Sequence, residues 1–116
     1  MSDMQFQFNS DSSVMGTQNV AERIENQLRQ RLERFEDRLT RLEVHVGDDN
    51  ARKGGADDKH CTIEARIRGE KPIGVTGRAS DVDAAARIAG NTLAQRLERH
   101  FGKHDKHKHD ARPDKA

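Results

Sequence analysis

Polar and apolar residues alternate along Gln5-Phe6-Gln7-Phe8, a period of two that predicts a strand with Phe6 and Phe8 facing a core. The NSDSS run after it and Gly16 read as a loop. From about Thr17 to Arg38 the period lengthens. Val20, Ile24, Leu28, Leu32 and Phe35 recur at spacings of four and three, which predicts one long amphipathic helix. Thr17 fits as its N-cap, and Asn19 with Glu22 three residues later fits a capping box equally well. Alternation returns at Leu42-Glu43-Val44-His45-Val46. The polar, glycine-bearing GDDNARKGGADDK stretch then predicts a mobile loop. A third strand places Cys61, Ile63, Ala65 and Ile67 inward and Thr62, Glu64, Arg66 and Arg68 outward. A turn at Gly69-Glu70-Lys71-Pro72 leads into a fourth strand with Ile73, Val75 and Gly77 inward.

Ser80 with Asp83 has capping-box spacing and opens a second helix. Val82, Ala86, Ala89, Leu93, Leu97 and His100 share its inner face. Ala84 to Ala86, Ala89 and Gly90 keep its early turns thin, so it can lie close on a sheet. The predicted architecture is α+β in the order β-α-β-β-β-α, a four-stranded sheet with two helices packed on one face. The domain covers residues 1–103. Residues 104–116, rich in Lys and His, form a disordered tail.

Net charge is only +1, so electrostatic binding needs segregated rather than total charge. At about 100° per residue the first helix segregates it. Arg23, Arg31, Arg34 and Arg38 fall on one flank of the apolar stripe, with Gln27 and Gln30 between them. Glu22, Glu25, Glu33 and Glu36 fall on the other, with Arg29 among them. In the second helix Arg96, Arg99 and Lys103 share a flank, and Glu98 and Arg87 lie away from it. Such arginines can simply form weak surface ion pairs. Their planar fork also suits phosphate.

Other chemistry is sparse. The chain has no Trp or Tyr and four Phe, which disfavours stacking single-stranded bases on exposed aromatics. One cysteine, Cys61, excludes an intrachain disulfide and fits a reducing cytoplasm. It sits at an inward position, and the adjacent His60 points to the opposite face. His45 is an outward strand residue. Closely spaced His100, His104, His107 and His109 lack a rigid frame and fit adventitious metal binding only. Asp48-Asp49 and Asp57-Asp58 do not match a calcium loop. There is no phosphate-cradling or dinucleotide motif, no secretion signal and no run long enough to span a membrane. The expectation is a non-enzyme without cofactor, metal or small-molecule substrate.

Three segments carry a family resemblance: Met4 to Phe8, Leu32-Glu33-Arg34-Phe35-Glu36-Asp37-Arg38-Leu39, and Leu93-Ala94-Gln95-Arg96-Leu97-Glu98-Arg99-His100. With Asp81 to Ala86 and the strand order, the chain resembles the hibernation promoting factor family over about residues 4–103. These proteins are also called ribosome-associated inhibitors or sigma-54 modulation proteins. The resemblance implies a fold akin to double-stranded-RNA-binding domains. It implies binding to small-subunit rRNA at the decoding region, exclusion of tRNA and mRNA, and silencing of translation under stress, as in stationary phase. It places rRNA contacts at Arg31, Arg38, Arg96, Arg99, His100 and Lys103; the helical projection adds Arg23 and Arg34. The chain departs from the family at Asn91, Thr92 and Phe101, where an acid, a lysine and a lysine are common. The long form's C-terminal dimerisation domain is absent, so the chain is not expected to dimerise ribosomes by that route; off the ribosome a monomer is expected. The rival reading is a protein-interaction module, a homodimer or an adaptor of a regulatory factor, with no RNA role.

Overall fold

The computed structural model describes residues 4–11, 19–48 and 59–109, with side chains described as far as residue 102. Thr17, the loop aspartates Asp49, Asp57 and Asp58, the side chains of Lys103 and of the tail histidines His104, His107 and His109, and residues 110–116 lie outside the described set.

The elements are β1 (Gln5–Ser10), α1 (Val20–Arg31), a 3-10 segment (Glu33–Arg38), β2 (Leu39–Asp48), β3 (Lys59–Ile67), β4 (Ile73–Ala79) and α2 (Val82–His109). The sheet order is β1-β2-β3-β4. β1 pairs parallel to β2, with Phe6 opposite Leu42 and Phe8 opposite Val44, which requires the α1 crossover. β2, β3 and β4 form an antiparallel meander. The predicted α+β fold is therefore the observed one.

The core lies between the helices and the sheet. Ile24, Leu28, Leu32 and Phe35 meet Leu42, Val44, Val46, Cys61, Ile63, Ala65 and Val75, with Ala85, Ala86, Ala89, Leu93, Leu97 and Phe101 from α2. Phe6 and Phe8 are half-buried against this core. Burial pushes the Cys61 thiol up from 9.0 to about 12. Two close approaches set the layer spacing. A Cβ on Gly77 would stand 2.5 Å from the Ala85 carbonyl oxygen and 2.6 Å from the Ala89 nitrogen. A Cβ on Gly90 would stand 2.8 Å from Leu28 Cδ2. Glycine is needed at 77 for α2 to lie flat on β4, because the contacts there are backbone atoms; at 90 the neighbour is the end of the Leu28 side chain, which can shift.

Several boundaries differ from the sequence reading. α1 stops at Leu32 (φ −107, ψ 17), and the chain tightens into 3-10 turns, with the Phe35 N–H donating to Leu32 O at 2.9 Å. Asn19 is the α1 N-cap residue in left-handed conformation (φ 69), and it makes no side-chain cap bond, so the capping box does not form. In α2 the cap is Asp81 rather than Ser80: the Ala84 N–H donates to Asp81 Oδ1 at 2.7 Å. All four strands run further than their alternation suggested, because ladder pairing continues through Ser10, through Asp48 with Lys59, and to Ala79. At the start of β2 the register shifts between Leu39 and Arg41, and the Thr40 hydroxyl donates to Arg66 O at 3.3 Å. On α2 the buried residue is Phe101, not His100, which is half-buried toward the β3–β4 turn.

Gly77→Ala should cost about 1–3 kcal/mol in urea unfolding, because α2 must lift off the sheet. Asp81→Ala should cost about 1 kcal/mol by loss of the cap alone. Folded protein at pH 8 should leave Cys61 unmodified by a thiol reagent that labels it fully in urea. Between pH 9 and about 12 the unfolded thiol ionises while the folded one keeps its proton, so this group lowers stability as pH rises through that window.

Candidate nucleic-acid interface

The arginines along one flank of α1 and the 3-10 segment after it all turn toward α2. Arg23 Nη2 lies 2.9 Å from Asp83 Oδ2. Arg31 Nε donates to Asn91 Oδ1 at 2.7 Å. Arg34 Nη2 lies 2.9 Å from Glu98 Oε1. Arg38 Cζ sits 4.5 Å over the Phe101 ring. Early residues of α1 meet early residues of α2, and late meet late, so the two helices run side by side in the same direction. The acids of α1 lie on its other side, where Glu25 Oε2 accepts from Arg29 Nε at 2.7 Å and Arg29 Nη2 reaches Met4 O at 3.3 Å.

Between the helices runs a groove of about 400 Å³, lined by Gln27, Leu28, Gln30, Arg31, Ala86, Arg87, Gly90 and Asn91. Its floor is apolar and small. Its rim carries two guanidinium groups and three amides, all suited to phosphate oxygens or base edges. Arg87 was set apart in the sequence reading, yet it stands in this groove with Arg31. The signal available for it was column spacing: Asp83, Arg87 and Asn91 are successive i, i+4 positions, and the flanking two bind α1.

The predicted α2 residues lie elsewhere. Arg96 and Glu98 stand about 200° apart around the helix. Glu98 enters the seam with α1, while Arg96 Nη1 reaches the Gly74 carbonyl on the β4 edge at 3.3 Å. Arg99 is exposed, and His100 Nε2 lies 2.7 Å from Glu70 Oε1 of the β3–β4 turn. The seven predicted residues whose side chains are described thus form two strips rather than one surface. One is Arg23, Arg31, Arg34 and Arg38 at the seam; the other is Arg96, Arg99 and His100 toward β4.

The open sheet face contrasts with the helical layer. There Arg41 pairs with Glu43 at 2.6 Å, and Arg66 with Glu43 and Glu64 at 3.5 Å each. Thr62 and Thr76 share a hydroxyl bond at 3.1 Å. His45, exposed as expected, lies 3.1 Å from Asp11 and stacks on His60 with ring centroids 5.9 Å apart. Among the described residues no group of three or more His, Cys, Asp or Glu is placed to hold a metal ion. No described helix is long and apolar enough to cross a membrane.

Comparison with known proteins agrees with the fold. The family described as sigma 54 modulation protein / S30EA ribosomal protein matches residues 12–105. The chain is similar to the crystal structure of the Thermus thermophilus Protein Y N-terminal domain, with a TM-score of 0.66 and 20% identity, covering 84% of this chain and 99% of that one. It is also similar to a ribosomal subunit interface protein from Coxiella burnetii, with a TM-score of 0.65 and 11% identity, covering 85% and 99%. No curated protein matches the sequence.

The seam ion pairs are exposed, at 56% and 64% for the Arg34 and Glu98 side chains. Arg23→Ala and Arg34→Ala should therefore each lower unfolding free energy by no more than about 1 kcal/mol. Denaturant titration reads this directly, and a loss of several kcal/mol would make these arginines structural ties instead of exchangeable ones.

Proposed function

The chain belongs to the sigma 54 modulation protein / S30EA ribosomal protein family, and on that basis we propose that it is a non-enzymatic factor that binds small-subunit rRNA at the decoding region and silences translation. The observation that carries this reading is the arginine-lined seam. Arg31 and Arg87 line its exposed groove, and Arg23 and Arg34 stand farther along the seam against Asp83 and Glu98, with Arg38 over the Phe101 ring. Phosphate can displace these acids at small cost, because an exposed ion pair is worth only about 0.2–1 kcal/mol. It then gains two parallel N–H bonds from each fork. Arg96, Arg99 and His100 supply the second strip, with Lys103 assigned to the same role from the sequence, so a folded RNA can touch the helical layer on both sides of α2. The domain acts by occupancy: once held by phosphates, its bulk excludes mRNA and tRNA, and no bond is made or broken.

Two features weigh against the rival reading of a dimer or adaptor module. Ile88 is the exposed large hydrophobic residue among those described, so no apolar patch is offered. Arg96 also occupies a carbonyl of the β4 edge, which blunts strand addition there. The protein off the ribosome should be monomeric.

Charge reversal separates these readings. Arg31→Glu with Arg87→Glu, and separately Arg96→Glu with Arg99→Glu, should each weaken binding to purified small subunits by at least roughly tenfold while leaving the thermal midpoint almost unchanged. Each lost phosphate contact should also flatten the log–log salt dependence by roughly 0.7–0.9. Arg78→Glu on the sheet face should bind like the wild type. Equal binding by both double variants would overturn the interface.

A further inference from the structure

α1 and α2 meet along the seam in matching four-residue steps. On α1 the column is Arg23, Gln27 and Arg31; on α2 it is Asp83, Arg87 and Asn91. The outer two rungs are closed, Arg23 on Asp83 at 2.9 Å and Arg31 on Asn91 at 2.7 Å. The rung between them is open. Gln27 and Arg87 face one groove there, with Gln30 beside them, and among the described residues these three side chains have no hydrogen-bond or ion-pair partner. Beneath them lie Leu28, Ala86 and Gly90. From this open rung we propose that the groove seats one unpaired adenine of the bound RNA, read by Gln27 and Gln30, a site that rests on the rRNA reading above.

A phosphate alone does not suit this groove. Its floor is apolar, and a phosphate laid on it would lose water without gaining donors. A base has an apolar face for that floor and polar edges for the walls. Ala86 and Gly90 present a methyl group and bare backbone, so a flat ring can come close. The volume of about 400 Å³ falls in the range of small-molecule sites, about 300–1,000 Å³. A carboxamide sets an acceptor and a donor side by side in one plane. Adenine presents the complement on its Watson–Crick edge, where the N6 amine stands beside N1, and such two-pronged pairing is how Asn and Gln select adenine. Around the base the charges are already in place. Arg31 spends only Nε on Asn91, which leaves its two Nη groups, with Arg87, for the phosphates on either side.

Removing the amides while leaving every charge in place tests this. Gln27→Ala with Gln30→Ala is compared with wild type for binding to purified small ribosomal subunits across a salt series, with urea midpoints confirming that both proteins are folded. The bound rRNA is probed with dimethyl sulfate, which methylates N1 of unpaired adenine. A seated base predicts binding weakened by roughly five- to tenfold at every salt concentration, with the log–log slope unchanged. It also predicts one adenine that wild type shields and the double variant exposes. Arg87→Gln should instead flatten the slope by roughly 0.7–0.9. If wild type binds and the amide variant matches it in affinity and in shielded adenines, the groove holds no base. If the amide variant loses slope together with affinity, the groove holds backbone phosphate alone. Either result overturns the adenine seat and leaves the rRNA reading standing. If wild type itself does not bind, both fall together.

Discussion

The arrangement depends on how closely α2 approaches its neighbours. A helix normally keeps its distance from a sheet because side chains intervene. Here Gly77 offers none, and the backbone of α2 at Ala85 and Ala89 descends into that gap. Gly90 repeats the device sideways and admits Leu28 of α1. With α2 low and α1 close, short contacts across the seam become available: carboxylates at Asp83 and Glu98, an amide at Asn91 and a ring at Phe101 all come within reach of an arginine. A bulkier residue at Gly77 would meet the α2 backbone and lift that helix, whereas at Gly90 the Leu28 side chain can shift.

That geometry gives the two faces of the sheet different fates. On the open face the charges are consumed locally, with Glu43 shared between Arg41 and Arg66. On the helical face Arg31 and Arg87 line the groove, and Arg23 and Arg34 stand against Asp83 and Glu98. A protein of net charge +1 can thus present a basic groove without being basic. The same seam arginines that order α1 against α2 are held by exposed, weak partners, so ordering them costs little affinity for an incoming phosphate. Preorganisation and exchangeability are compatible here because surface ion pairs are geometrically definite but energetically slight.

Much of this was legible in the sequence. Strand alternation placed Leu42, Val44, Val46, Cys61, Ile63 and Ala65 in the core, and the 3.6 period placed Ile24, Leu28 and Leu32 there. The charge split of α1 was also readable, since it needs only helical geometry. What escaped had no local signal. No Gly or Pro marks the change from α to 3-10 at Leu32, so Arg34 and Arg38 were projected on a straight helix. Arg87 looked peripheral because its groove is made only when α1 packs beside α2. Arg96 and Glu98 were correctly placed on different flanks, but which flank meets α1 is a matter of packing. Asp81 took the cap from Ser80 where the helix begins at Val82, a shift of one residue that propensity alone does not resolve.

The most direct test of the central claim is co-sedimentation of the purified protein with separated small and large ribosomal subunits through sucrose, at low and at moderate salt. Binding by an arginine-lined helical face predicts that the protein travels with the small subunit at low salt and is progressively released as salt rises. A protein that stays at the top of the gradient with both subunits at low salt would leave the fold intact and contradict the function.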